Sequence, residues 1–125
     1  MANPNLLGIT TVTGITTVVG LNTTAVTTFL SNSDASGKVL KVNTLMVSNT
    51  NGNIGGNITI KYHNEALGAG TSVPIAYTIA VPADTTVVIT GKDTPIYLEE
   101  NRSLTGTAST ENVIGIICSY EDISW

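Results

Sequence analysis

Apolar and polar residues alternate in several separate stretches of this chain, whereas helical spacing is always interrupted by glycine, proline or β-branched residues. The clearest alternation covers residues 57–63. It predicts a half-buried strand with Ile58, Ile60 and Tyr62 on the inner face and His63 on the solvated face. A chain with this period can bury its apolar side chains as strands of a sheet and not as helices.

The same period predicts further strands. Residues 75–81 alternate before a Pro-Ala-Asp turn, with an inner face formed by Ile75, Tyr77, Ile79 and Val81. Other strands are predicted at about 38–48, 87–89, 96–98, 103–108 and 113–120, with a bulge near residues 43–44. The run at 113–118 is apolar on both faces and predicts a central or doubly covered strand.

Short strands with a turn signal every 8 to 12 residues predict an all-β, antiparallel β-sandwich, jelly-roll-like, of about eight strands. A chain of 125 residues suits one domain of this kind. Residues 1–20 are predicted to form an N-terminal arm or edge strand, and residues 21–125 a single β-sandwich domain.

The N-terminal segment has a repeated glycine. Gly8, Gly14 and Gly20 recur every sixth residue, separated mainly by threonine and β-branched aliphatic residues. Three such hexads are too few to stack into a β-helix, so the segment is predicted to be an extended strand whose glycines permit bends or close backbone approach.

The N-terminal strand is also uncharged, because no charged residue occurs from Asn5 to Asn32. Edge strands of monomeric proteins are usually protected by charge or proline. Pairing with a neighbouring subunit in a homo-oligomer is therefore expected, and the alternative is that the strand completes its own sheet. The subunit-interface residues predicted on this basis, together with a C-terminal aromatic anchor, are Ile9, Val12, Ile15, Val18 and Trp125.

Charge excludes some classes of partner. Charged residues make up 11% of the chain against a usual value of about 25%, and the net charge is −4. Four lysines and one arginine, scattered singly, form no basic stripe, so nucleic acid is not an expected partner. The first residues lack the pattern of a signal peptide, and no apolar run approaches the ~20 residues of a membrane span, so no membrane partner is expected.

No set of residues indicates catalysis, a cofactor or a metal site. The single histidine, His63, has only Glu65 near it in sequence, and the single cysteine, Cys118, lies in the most apolar strand. The acidic residues lack the spacing of a calcium loop. A non-enzymatic protein is therefore expected. Tyr97 and Trp125 are the aromatic candidates for a sugar-binding face, which leaves a carbohydrate-binding module for host attachment as an alternative.

Several segments together resemble small virion structural proteins of tailed bacteriophages, particularly marine phages that infect cyanobacteria. The likeness extends from Gly8 to Ser124, and it departs from the phage pattern at Asn101-Arg102, where glycine and aspartate are expected after the paired glutamates. The segments that carry it are Ser36–Asn43, Val47–Asn49, Ile79–Asp84, Lys92–Glu100 and Ser119–Ser124.

The resemblance implies a β-rich accessory subunit present in many copies on a virion. Head decoration or cement, in contact with the major capsid protein, is the first expectation, and a neck or tail position is the alternative. Such a subunit would be stabilised by its lattice, since association favours the folded form.

Overall fold

The computed structural model describes residues 6–125, and these residues form nine strands in two antiparallel sheets. Apart from the strands, they contain two short 3₁₀ segments, Leu6–Gly8 and Ala66–Gly68 (the 66–68 turn). The predicted all-β sandwich is confirmed. The strands are β1 (Thr11–Gly20), β2 (Thr27–Asn32), β3 (Lys38–Asn49), β4 (Gly56–His63), β5 (Ser72–Val81), β6 (Thr85–Thr90), β7 (Ile96–Leu98), β8 (Arg102–Ala108) and β9 (Ile114–Ser124).

In neither sheet do the strands follow one another in chain order. The first sheet has the order β1-β9-β3-β6, and β7 also pairs with β3. The second sheet has the order β2-β8-β4-β5. The doubly apolar run of β9 therefore lies centrally, between β1 and β3, as its sequence predicts. Residues 11–20 form an edge strand of the first sheet, while residues 1–5 of the predicted N-terminal segment lie outside the described residues.

The core lies between the sheets and is built by the inner faces of the central strands. Ile58 and Ile60 of β4 are fully buried, as predicted, and Leu45 and Val47 of β3 face them from the first sheet. Gly106 of β8 lets the sheets approach closely, because a Cβ atom there would lie 2.5 Å from the Ile116 side chain. Within the described part of the chain, no helix has the length and apolarity needed to cross a membrane.

A bulge in β3 changes which side chains face the core. Val42 lies opposite Tyr120 and Thr44 opposite Ser119, so Asn43 has no partner in the register of β9. This is the phase change that the sequence predicts near residues 43–44. The displaced Asn43 amide donates a hydrogen bond to Glu121 Oε1 at 2.8 Å, which fixes that carboxylate on the outer face.

The predicted inner face of β5 is wrong for three of its four residues. Ile75, Tyr77 and Ile79 are 37%, 67% and 39% exposed, while Ala76 and Val81 are buried. The cause is two register shifts in the pairing of β5 with β4. Each shift inserts an additional residue and interrupts the period of two.

Buried asparagines fasten the ends of the strands. Asn49, at the end of β3, donates from Nδ2 to the carbonyl oxygens of Ile54 and Val81 at 2.9 and 3.1 Å, and its Oδ1 accepts from the Asn51 N–H. Asn32, at the end of β2, holds two carbonyl oxygens of other segments in the same way. These amides satisfy backbone groups that would otherwise be buried without partners.

Candidate assembly surface

The backbone of β1 is paired on one side only. Its whole length pairs with β9 of the same subunit, from Thr11 opposite Ser124 to Gly20 opposite Gly115. Leu21 continues this register and donates its N–H to the carbonyl oxygen of Ile114. Because hydrogen-bonded residues alternate in antiparallel pairs, odd-numbered residues of β1 bond to β9 and even-numbered residues direct their N–H and C=O groups outward. In residues 6–125 no strand pairs with this outward edge.

The side chains of β1 alternate in the same phase. Val19 packs against the core, so the odd-numbered Ile15 and Thr17 also belong to the inner face. Val12 and Val18 lie on the outer face and are 48% and 71% exposed. The two faces of β1 therefore both present apolar side chains near the open edge.

Three of the five predicted interface residues lie on this edge, and two lie outside it. Val12 and Val18 are on the outer face, whereas Ile15 is half-buried on the inner face. Ile9 is half-buried and precedes β1. Trp125 follows β9, is 43% exposed, and donates its N–H to the carbonyl oxygen of Gly37. The structure thus brings Val12, Ile15 and Val18 to one strand edge and leaves Trp125 at the end of the neighbouring strand.

The other sheet edges are shorter or interrupted. β5 contains Pro74 and two register shifts, and β2 has six residues, one register shift and the 66–68 turn packed beside it. β6 and β7 have six and three residues, and the charged pair Lys92-Asp93 lies in the turn between them. All of these features protect edge strands from pairing. β1 has ten residues in a continuous register with neither charge nor proline.

An apolar row crosses the outer face of the first sheet and ends at the open edge. Val88 of β6 lies opposite Met46, Met46 opposite Ile117, and Ile117 opposite Val18. Val88 and Val18, at the two ends, are 60% and 71% exposed. The sequence pattern alone did not identify Met46 and Val88 as residues of this outer face. The doubly apolar pattern of β9 was the available signal, because it requires an apolar outer face.

The carboxylates of β9 next to β1 have partners within the subunit. Glu121 accepts from the Asn43 amide, and Asp122 forms an ion pair with Lys38 at 3.2 Å. Both lie on the strand behind β1, not on the edge itself. Residues 11–20, which form the open edge, therefore carry no ionisable side chain, although the chain as a whole carries a net charge of −4.

His63 is not a solvated residue, which corrects the prediction from the alternation. It is 7% exposed, its Nε2 lies 2.8 Å from Thr105 Oγ1, and its Nδ1 lies 3.3 Å from the carbonyl oxygen of Ala69. The 66–68 turn packs against β2 and β8, and Ala69, which follows it, contacts the ring. With both ring nitrogens engaged in this way, His63 serves to hold the loop.

Cys118 is buried in β9, and burial raises the pKa of its thiol to about 11. A protonated, inaccessible thiol is a poor nucleophile. His63 does not activate it, because both ring nitrogens of His63 have other partners. Among residues 6–125, no group of three or more histidine, cysteine or acidic side chains is arranged to hold a metal ion.

The two aromatic candidates for a sugar-binding face, Tyr97 and Trp125, are not neighbours. Tyr97 lies opposite Lys41 of β3, and Lys41 lies opposite Glu121 of β9. Trp125 comes four residues after Glu121, just beyond the end of β9. Two strand spacings and four residues separate the Cα atoms of Tyr97 and Trp125 by about 17 Å. Stacking on one sugar requires rings much closer than this.

No protein-family model matches this chain, and the comparison with curated proteins gives no match. The chain is similar in structure to a chain from Bacillus endospore appendages, which form a family of disulfide-linked pili. The alignment covers 99% of this chain and 96% of that chain, with 12% sequence identity and a TM-score of 0.49. A likeness at this level carries no functional argument.

Proposed function

We propose that this protein is a non-enzymatic structural subunit of a tailed-phage virion, present in many copies and associated with itself and with other virion proteins. Decoration or cementing of the head is the proposed position, and a neck or tail position is the alternative. The observation that carries the proposal is the edge of β1, ten residues long, continuous in register and without charge or proline. An edge of this kind is satisfied by pairing with another chain.

The virion assignment is supported by the resemblance of the chain to small phage structural proteins and by its composition. With charged residues at 11%, the surface relies on threonine and asparagine for its polarity. Such a surface is weakly repelled by its neighbours, as a subunit packed in many copies requires. Host-glycan binding has less support, because the two aromatic candidates, Tyr97 and Trp125, are not neighbours.

Purified particles test the proposal. The protein should be detected by quantitative mass spectrometry at tens of copies or more per particle, and imaging of particles that lack it should reveal where it is missing. A cement protein predicts that such particles release their genome at a lower temperature than complete particles. Absence of the protein from purified virions would overturn the virion assignment, and unchanged heat resistance would overturn the cementing role.

A matched pair of variants tests the contribution of the β1 edge. Val18→Lys places a charge at the open edge, and Val88→Lys places one on a similarly exposed valine at the opposite edge of the same sheet. Both should fold, because both side chains are exposed. We expect Val18→Lys to lose incorporation into particles and Val88→Lys to retain it. Equal incorporation of the two variants would contradict the role given to β1.

A further inference from the structure

The open edge of β1 restricts what can pair with it. Its outward N–H and C=O groups belong to the even-numbered residues, so a partner must present a comparable row of unpaired backbone groups. The other edges of the sandwich are short, covered or broken by register shifts. Within residues 6–125, the one edge that matches β1 in length and regularity is β1 of a second copy.

The side chains select one register for two such strands. In an antiparallel pair, even residues must lie opposite even residues, which allows a twofold axis at Ile15 or at Thr16 in the middle of the strand. An axis at Ile15 places Val12 opposite Val18 of the second copy and Ile15 opposite Ile15. An axis at Thr16 places Val12 opposite Gly20 and Ile15 opposite Thr17. Apolar residues match apolar residues only in the first arrangement, and register follows the hydrophobic pattern.

We infer that two copies of this protein pair antiparallel through β1 about a twofold axis at Ile15, which joins their first sheets into one continuous sheet. The inference deepens the proposed function, since it names the partner of the same edge, and it rests on that function only for the use of β1 in assembly. The contact is self-complementary, as twofold interfaces require.

The outer face supports this register. The apolar row Val88, Met46, Ile117 and Val18 would continue into Val12 of the second copy and the residues behind it, Ile123 and Val39. Ile123 and Val39 are already buried in the subunit, so Val12 and Val18 are the exposed apolar residues that the pairing would cover. Because of the twofold axis, the dimer would have two such apolar rows, each starting at Val88 of one copy and ending at Val39 of the other.

The backbone contribution has the size of an ordinary interface. Residues 12, 14, 16 and 18 would each take part in a hydrogen-bonded pair with the second copy. Two bonds for each pair give about eight hydrogen bonds. Protein interfaces carry about 10 ± 5 direct hydrogen bonds. The edge of β1 is therefore long enough to support a specific dimer.

Electrostatics does not oppose the pairing. The net charge of −4 lies outside β1, and the nearest carboxylate on the outer face is Glu121 of β9. Glu121 side chains of the two copies would be separated by at least three strand spacings, about 14 Å. This exceeds the Debye length of about 8 Å at physiological ionic strength. The pairing therefore joins two uncharged β1 strands and leaves the Glu121 carboxylates of the two copies well separated.

Cysteine cross-linking tests the register. Odd-numbered residues would form the non-hydrogen-bonded pairs, whose Cα atoms lie about 4.5 Å apart, within the range that a disulfide bridges. We expect Ile15→Cys to give a covalent dimer as the main product of mild oxidation. Thr16→Cys is the matched control, because its two Cα atoms would lie about 8 Å apart in the proposed register, too far for a disulfide. The unaltered protein controls for Cys118.

A charge-swap series provides a second measurement on exposed positions where substitution does not disturb folding. Val12→Glu and Val18→Lys should each weaken dimer formation by about tenfold or more, measured by sedimentation equilibrium. The Val12→Glu/Val18→Lys double variant should recover association, because each Glu would face a Lys of the second copy. In the register centred on Thr16, the double variant would associate more weakly than either single variant.

The outcomes separate the inference from the proposed function. Cross-linking at Thr16→Cys and not at Ile15→Cys would overturn the register. An oligomer by light scattering that forms neither cross-link and shows no charge-swap recovery would overturn self-pairing of β1, while the virion assignment would stand on the particle experiments. A monomer at millimolar concentration would also overturn the self-pairing. Presence in virions does not depend on any of these results.

Discussion

Burial of the Cys118 thiol gives the stability of the protein a measurable pH dependence. Burial raises the pKa of its thiol from 9.0 to about 11. Between these values the unfolded chain loses the thiol proton while the folded chain keeps it, so the unfolded state binds fewer protons and stability falls as pH rises. The contribution of this group is complete below about pH 9 and is lost as the pH rises through 11.

We therefore expect the difference in unfolding free energy between the unaltered protein and Cys118→Ala to be constant up to about pH 9 and to decrease above it. Urea denaturation at a series of pH values measures this difference. Other groups titrate equally in both proteins and cancel. A difference that does not change between pH 8 and pH 10.5 would show that the thiol has no raised pKa in the folded state.

Asn49 is a buried residue whose side chain satisfies three backbone groups. Asn49→Ala removes the donor to two carbonyl oxygens and the acceptor of the Asn51 N–H, at a position that is 2% exposed. We expect a loss of about 2–4 kcal/mol in the free energy of unfolding, because buried groups without partners cost about 1–3 kcal/mol each. Asn51→Ala is the control. Its Oδ1 accepts from two exposed N–H groups, which water can replace, so a loss under about 1 kcal/mol is expected. Similar losses in both variants would contradict this interpretation.

The 66–68 turn is an element held in a strained conformation by hydroxyl and amide side chains. Leu67 has a φ of 59° and is 80% exposed. Its N–H bonds to Ser31 Oγ, and the next N–H, of Gly68, bonds to Ser103 Oγ at 2.8 Å. Ser103 Oγ also donates to the Glu65 carbonyl oxygen at 2.7 Å. Tertiary contacts, not local preference, therefore hold this turn.

Ser103→Ala should loosen the turn. The serine is fully buried and satisfies two backbone groups, so we expect a loss of about 1–3 kcal/mol and faster amide exchange at residues 66–68. Ser31→Ala removes one exposed hydrogen bond and should have a smaller effect on global stability. If amide exchange at residue 68 is unchanged in Ser103→Ala, the serine does not hold the turn.

Period-two alternation placed Ile58 and Ile60 of β4 correctly but placed three residues of the neighbouring β5 wrongly, and the difference is physical. β4 is paired on both sides, and Ile58 and Ile60 face the core as predicted. β5 is an edge strand, where a φ of 48° at Thr78 and a bond from its N–H to Thr59 Oγ1 accompany the shift in register. A bulge set by a contact with another strand has no signal in the local sequence. Ile75 and Tyr77 are exposed for this reason.

At the scale of the whole molecule, the first strand pairs with the last. The sequence could show that the N-terminal segment is extended and uncharged, but it could not show which strand lies beside it, because pairing between opposite ends of the chain depends on the complete topology. The predicted interface set, spaced by three residues, consequently mixes both faces of β1. Pairing with β9 also determines that the even-numbered residues of β1 keep unpaired backbone N–H and C=O groups. This alternation restricts the registers in which β1 strands of two copies can pair.

The self-pairing of β1 predicts an unusual response to salt for a protein with a net charge of −4. The edge carries no ionised side chain, so no attractive charge pair is screened when salt is added, while the general repulsion between copies is reduced. Sulfate should strengthen association further by favouring burial of Val12 and Val18. We expect the dissociation constant of the dimer to stay constant or to decrease when NaCl is raised from about 0.05 M to about 0.5 M, measured by sedimentation equilibrium. The Val12→Glu/Val18→Lys double variant is the control, since its association depends on charge pairs and should weaken over the same range. A tenfold weakening of the unaltered dimer would show that charged residues outside β1 carry the contact.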